Sequence, residues 1–199
     1  MKDLVILVAD KNMRFALQGA LSRPASLGIQ AIEYKILEHP MRDGGVRTTG
    51  PEIIALEQQQ FRHALLVMDF EGSGAPDAQL LEKDLDDRLR NIWKENAKAI
   101  VIEPELDVWM WGSDNALRTE LRPPFNPPIR DWLRERGFEF TSEQKPVRPK
   151  EAMEHLLREI RLPRSSAIYE KIATRISIPR CTDPAFLRLR TTLLGWFAV

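Results

Sequence analysis

Asp69 and Glu71 stand two residues apart where an apolar run ends, in HALLVMDFEGSG (63–74), and Gly72 and Gly74 follow them. Either the strand finishes here in a solvated turn, or the acids are placed to hold something cationic. In extended backbone, side chains at i and i+2 point to one side, about 7 Å apart at Cα, close enough for both carboxylates to reach one ion. Asp10 follows another apolar run, Leu4 to Ala9, and Glu103 and Glu105 follow a third, AIVIE (99–103). If those strands are parallel, the acids meet at one rim. Crowded carboxylates raise one another's pKa, and a hard divalent ion such as Mg²⁺ or Mn²⁺ relieves the repulsion with oxygen ligands. Glycines after the acids let the backbone turn sharply and let a phosphate come close. Glu103 and Glu105 have a second reading, as acids favoured at the start of the helix that LDVWMW opens.

The elements that must position these groups are legible as a pattern. LVILVA (4–9), ALLVMDF (64–70) and AIVIE (99–103) are near-continuous apolar runs, as expected of strands covered on both faces. IQAIEYKIL (29–37) alternates imperfectly and reads as a strand at an edge. Helical spacing separates them: Met13, Ala16, Leu17, Ala20 and Leu21; then PEIIALEQQQF, opened by Pro51; then Leu81, Leu85, Leu89 and Ile92, with Asp77 as N-cap. The order β-α-β-α-β-α-β predicts an α/β fold with a mainly parallel four-stranded sheet flanked by helices. Functional groups in such sheets gather at the C-terminal strand ends.

After residue 118 the character changes. RPPFNPPIRDW holds four prolines in six positions and reads as a rigid connection, and FEF (138–140) as a short added strand. Three helical stripes follow: Met153/Leu156/Leu157/Ile160, Ile168/Ile172/Ile176, and Phe186/Leu189/Leu193/Phe197, the last started by Asp183-Pro184. The division is therefore 1–118 for the α/β part and 119–199 for the Pro-rich connection and C-terminal helices packed on it. Trp109, Trp111, Trp132 and Trp196 read as packing residues.

At 199 residues, 43% apolar and 29% charged, the chain can bury a substantial core, and no apolar run is long enough to span a membrane. A single cysteine, Cys181, fits a reducing cytoplasm, and three scattered histidines do not suggest zinc. The zero net charge hides an asymmetry. Residues 1–144 carry 18 Lys and Arg against 24 Asp and Glu, and residues 145–199 carry 11 against 5. Lys171, Arg175 and their basic neighbours could present a face to nucleic acid or to an acidic protein; a solvated helix face is the alternative. Arg42 and Arg47 flank Gly44-Gly45 in EHPMRDGGVRTTG, read as a loop able to hold phosphate or simply as solvated charge.

The ordered set LVILVADKNMRFALQGAL, Gly44-Gly45, ALLVMDFEG, IVIEPELDVWMW and SAIYEKIATRISIPRCTDPAFLRLRTTLLGW resembles Toprim-like proteins. More narrowly, it is similar to the prokaryotic DUF4276 family, whose members often lie beside phage-defence genes. The resemblance covers most of the chain and implies a Toprim-like, Rossmann-like sheet. It also implies Mg²⁺ held by an acid after the first strand, here Asp10, and by a D-x-D after the third, here Asp69-Phe70-Glu71. Asp10, Asp69 and Glu71 would then serve phosphodiester hydrolysis, and Lys11 and Arg14 would contact phosphate; Glu103 is a further candidate ligand from its place at the end of the fourth strand. The family's first acid is usually Glu before Gly, whereas Asp10 precedes Lys11. The competing expectation is a catalytically degenerate subunit that binds nucleic acid or a defence-system protein.

Overall fold

The computed structural model describes residues 1–199. It is an α/β protein built on one four-stranded sheet, order β2-β1-β3-β4, with every pairing parallel. The strands are β1 (Lys2–Val8), β2 (Tyr34–Glu38), β3 (Phe61–Asp69) and β4 (Ala97–Ile102). Leu4 to Val8 and Ala64 to Met68 are all buried, as their unbroken apolar runs require of strands covered on both faces.

The chain leaves β1 toward β2, then crosses back over β1 to reach β3. Right-handed crossovers in opposite directions place α1 (Lys11–Leu21) on one face, and α3 (Arg42–Ala55) with α4 (Ala78–Trp93) on the other. The topological switch point therefore lies between β1 and β3, where such sheets bind ligands.

Both predicted caps form. The Asp77 carboxylate accepts from Leu80 N at 2.8 Å and Asp183 from Phe186 N at 3.0 Å, starting α4 and α10 (Pro184–Phe197). The second strand is shorter than the 29–37 expected. Ile29 makes only an isolated bridge to Ala198 after the small helix α2 (Pro24–Leu27), and pairing with β1 begins at Tyr34. FEF contributes a single bridge, Phe140 to Pro146.

The largest departure is at 42–55, where a loop and a helix opened by Pro51 were expected. One helix, α3, runs through the whole segment with Pro51 inside it. A proline at 51 cannot donate to the Arg47 carbonyl one turn back. Arg88 of α4 supplies a donor in its place, Nη1 to Arg47 O at 2.7 Å, and Nη2 also donates to Thr48 O at 2.8 Å. Two of the helix's three glycines serve close packing. A Cβ on Gly50 would stand 2.8 Å from Leu66 Cδ1, and one on Gly45 only 2.2 Å from His39 Cε1.

Downstream of the sheet come α5 (Asp107–Met110), α6 (Asp114–Leu121), α7 (Ile129–Arg134), α8 (Pro149–Glu159) and α9 (Ser166–Ala173). Helix α9 lies against α1 so closely that a Cβ on Gly19 would be 2.5 Å from Glu170 O. Trp109, Trp111 and Trp132 are buried, and the core runs continuously from the strands into these helices. Buried Asp183 accepts from Trp109 Nε1 at 2.9 Å and from Lys145 Nζ at 3.1 Å, joining α5 to the start of α10.

The outer edge of β4 is closed by side chains. Ala99 N donates to Asp86 Oδ1 and Val101 N to Glu82 Oε2, each at 2.8 Å, while Arg188 Nη2 donates to Val101 O at 3.1 Å. Glu82 and Asp86 are four residues apart on a helix, a rise of about 6 Å, against about 6.6 Å for two residues of strand, so the spacings match. No helix is long and apolar enough to cross a membrane.

Candidate functional site

Register brings the first two acids together. Val8 pairs with Val67 across β1 and β3, so Asp10 and Asp69, each two residues further on, reach the same C-terminal rim at the switch point. Asp10 is the N-cap of α1, with Oδ1 accepting from Met13 N at 2.9 Å. Asp69 Oδ1 accepts from Leu106 N at 2.7 Å, in the turn between β4 and α5.

A third acid joins them that the sequence reading missed. Asp43, in the first turn of α3, accepts from Asp69 N through Oδ1 at 2.8 Å. Each of the three carboxylates thus uses one oxygen to receive a backbone N–H. None forms an ion pair with a lysine or arginine, and no hydrogen bond reaches any of their Oδ2 atoms. The electrostatic consequence follows. Burial raises the Asp69 pKa well above the carboxylate range, and the charges of Asp43, Asp10 and Glu105 add to it. Asp43 is raised by burial and by Asp10, against the opposing pull of the Asp69 N–H, its own nearby amide and Arg42.

Gly72 and Gly74, with φ of +83° and +70°, turn the chain immediately after these acids. That turn is pinned from α3, where Arg47 Nη1 donates to Ser73 O at 3.1 Å. Arg47 is therefore engaged with the protein's own backbone, and it sits on a helix, not on the phosphate-holding loop expected of it. Arg42, also on α3, is exposed with φ of +49°. His39, just before α3, is buried and held between Met41 N and Thr49 Oγ1, at 3.1 and 3.0 Å. An accepting Nδ1 leaves the proton on Nε2, and burial lowers the pKa, keeping this ring neutral.

Glu71 goes elsewhere. β3 ends at Asp69, so the two-residue alternation does not carry past it, and exposed Glu71 lines a cleft with Glu105, Lys150 and Glu154. In that cleft Glu105 is buried, and its pKa rises to about 7, first through desolvation and then through Asp107, with Lys150 opposing and Glu71 adding. Glu103 is exposed on the side of the β4 edge, in a groove with Glu82, Asp86 and Arg188, apart from Asp69.

The remaining expected cations are dispersed. Lys11 is exposed with its ammonium 5.7 Å from the Phe15 ring centroid, and Arg14 pairs with Glu38 at 3.1 Å. Lys171 is exposed on α9, and Arg175, past the end of that helix, is paired with Glu120. No three His, Cys, Asp or Glu side chains stand gathered as a ready-made metal site. What the rim holds is three oriented carboxylates, oxygen donors of the kind Mg²⁺ and Mn²⁺ select, each with an uncommitted oxygen. Comparison with protein-family models, with curated proteins and with solved structures yields no match.

Proposed function

We propose that this chain is a Toprim-like protein that binds Mg²⁺ or Mn²⁺ through Asp10, Asp43 and Asp69 and hydrolyses phosphodiester bonds in nucleic acid, as a component of a prokaryotic defence system. The observation that carries this is the shared state of the three acids. All lie at the sheet's switch point, each accepts a backbone N–H, and none forms an ion pair with a lysine or arginine. Uncompensated carboxylates in a partly buried rim cost stability, and a divalent ion removes that cost. Bound there, the ion would supply Lewis-acid stabilisation of phosphoryl oxygens and a more acidic water.

The chain's own groups do the rest. The Leu106 and Asp69 amides fix the directions of Asp69 and Asp43, and the Arg47 tether holds the Gly72–Gly74 turn beside them. Lys11 and Arg42 are exposed cations next in sequence to two of the acids, available to a phosphate backbone. Glu105, carrying its proton to about pH 7, offers a proton-exchanging group on the adjoining cleft.

One observation favours the second reading, a non-catalytic subunit that binds nucleic acid or a protein partner. Asp10 is committed as a helix cap and is followed by Lys11 where the resembled family has Glu followed by Gly.

The test measures melting temperature against Mg²⁺ and Mn²⁺, and cleavage of single- and double-stranded DNA and RNA, for the wild type and Asp69→Asn. At a cation concentration one hundred times Kd the gain is about 2.7 kcal/mol, or roughly 5–10 °C for a chain this size. Asp69→Asn should abolish both the gain and the cleavage. A cation-dependent gain with nucleic-acid binding but no cleavage favours the non-catalytic reading. No gain and no cleavage with either metal overturns the proposal.

A further inference from the structure

The end of β4 and the turn that leads to α5, residues 102–106, hold the acidic end of β3 at three points. Phe70 N donates to Ile102 O at 2.8 Å, Glu71 N to Pro104 O at 2.9 Å, and Leu106 N to the Asp69 carboxylate at 2.7 Å. Where Leu106 sits therefore decides where Asp69 points.

Leu106 is flanked by two acids, Glu105 and Asp107, that are only 6% and 4% exposed. Burying two carboxylates on either side of one residue is expensive unless each is partnered. Both partners come from the C-terminal helices. At the start of α8, Lys150 N donates to Glu105 Oε1 at 3.2 Å and Lys150 Nζ stands 3.7 Å from Oε2. From α9, Tyr169 OH donates to Asp107 Oδ1 at 2.9 Å. Arg164 reaches Asp107 Oδ2 at 3.5 Å and donates through Nε to Tyr169 Oη at 2.9 Å. Arg164 is held in turn by Glu154 of α8 at 2.5 Å. Met153, Leu156, Ile168 and Ile172 of these helices are also buried in the core. Directional bonds placed on both sides of Leu106 do something more specific, fixing the amide that aims Asp69.

We propose that Lys150, Arg164 and Tyr169 are positioning residues for cation binding, acting through Glu105 and Asp107 on the Leu106 amide and so on Asp69. This rests on the reading of Asp10, Asp43 and Asp69 as a cation site. It makes α8 and α9 part of that site's machinery, although none of their residues is a ligand. Groups one step removed from metal ligands typically change affinity about 10-fold to 100-fold when lost.

The test is Mn²⁺ titration of the full chain by calorimetry, for the wild type, Tyr169→Phe and Lys150→Met, with amide hydrogen exchange on the metal-free proteins. Tyr169 is 1% exposed, so Phe keeps its packing and removes only the hydroxyl. Each variant should bind Mn²⁺ about 10-fold more weakly. The Leu106 amide should exchange at least about tenfold faster, while the Val101 amide, held by Glu82, keeps its wild-type rate. Wild-type binding with both variants within about twofold of it overturns the positioning role. An unchanged Leu106 exchange rate in Tyr169→Phe overturns the brace, whatever the metal does. A wild type that binds no Mn²⁺ overturns the cation site beneath the proposal and the proposal with it.

Discussion

Replacing Glu105 by Gln should stabilise the metal-free protein at pH 8 and leave it unchanged near pH 4.5. Glu105 is 6% exposed, and its pKa rises from 4.5 to about 7, mainly because burial disfavours its charge. A group that holds its proton more tightly when folded contributes stability that is full below its unfolded pKa and is lost as pH rises through its folded one. At about 1.4 kcal/mol per pH unit, the loss between pH 4.5 and 7 reaches about 3 kcal/mol. Gln keeps an oxygen for Lys150 N and carries no charge to bury. The assay is urea unfolding followed by circular dichroism, in chelator, at pH 4.5, 6, 7 and 8. Asp43, Asp69 and Asp107 shift in the same sense as Glu105, and His39, lowered by burial, shifts oppositely. The informative quantity is therefore the difference between variant and wild type at each pH. It should grow from near zero to about 3 kcal/mol in favour of Gln. A difference that stays flat across this range refutes the argument that Glu105 is a strained, proton-holding group.

Other outcomes follow from single contacts. Arg88→Met leaves the Arg47 carbonyl without a donor over the Pro51 gap and removes the bond to Thr48 O, and should cost about 1–3 kcal/mol in urea unfolding. Gly45→Ala drives a methyl into the His39 ring, 2.3 Å from Nδ1. It should lower stability by about 2–3 kcal/mol and weaken any cation-dependent melting shift, because Asp43 lies on the same helical turn. Joint replacement of Glu82 and Asp86 by Ala should speed exchange of the Ala99 and Val101 amides at least about tenfold, with interior β3 amides unaffected.

The sheet was readable because three of its strands are continuous apolar runs, and Asp77 and Asp183 announce their helices by cap chemistry that needs no tertiary partner. Helix α3 was not readable, because Gly44, Gly45, Thr48, Thr49, Gly50 and Pro51 are residues of turns and loops when judged locally. Its stability comes from elsewhere in the chain, from Arg88 filling the proline's gap and from His39 and Leu66 fitting against glycines. A faint signal was present: Val46, Gly50 and Ile54 recur every four residues and are all buried. Missing that helix meant missing Asp43, whose role depends on the first turn of α3 facing the end of β3. The pairing of Asp69 with Asp10 followed from topology alone. Its pairing with Glu71 did not hold, because strand alternation stops where the strand does.

The closed edge of β4 has a consequence for how copies of this chain could join. A sheet open on both sides can add neighbours without end, and the product is a fibre. Here one side is already engaged at Ala99 and Val101 by Glu82, Asp86 and Arg188, while β2 is hydrogen-bonded only to β1. Pairing of strands between two copies is therefore expected at β2 against β2 across a twofold axis, giving a ribbon of eight strands that stops at two molecules.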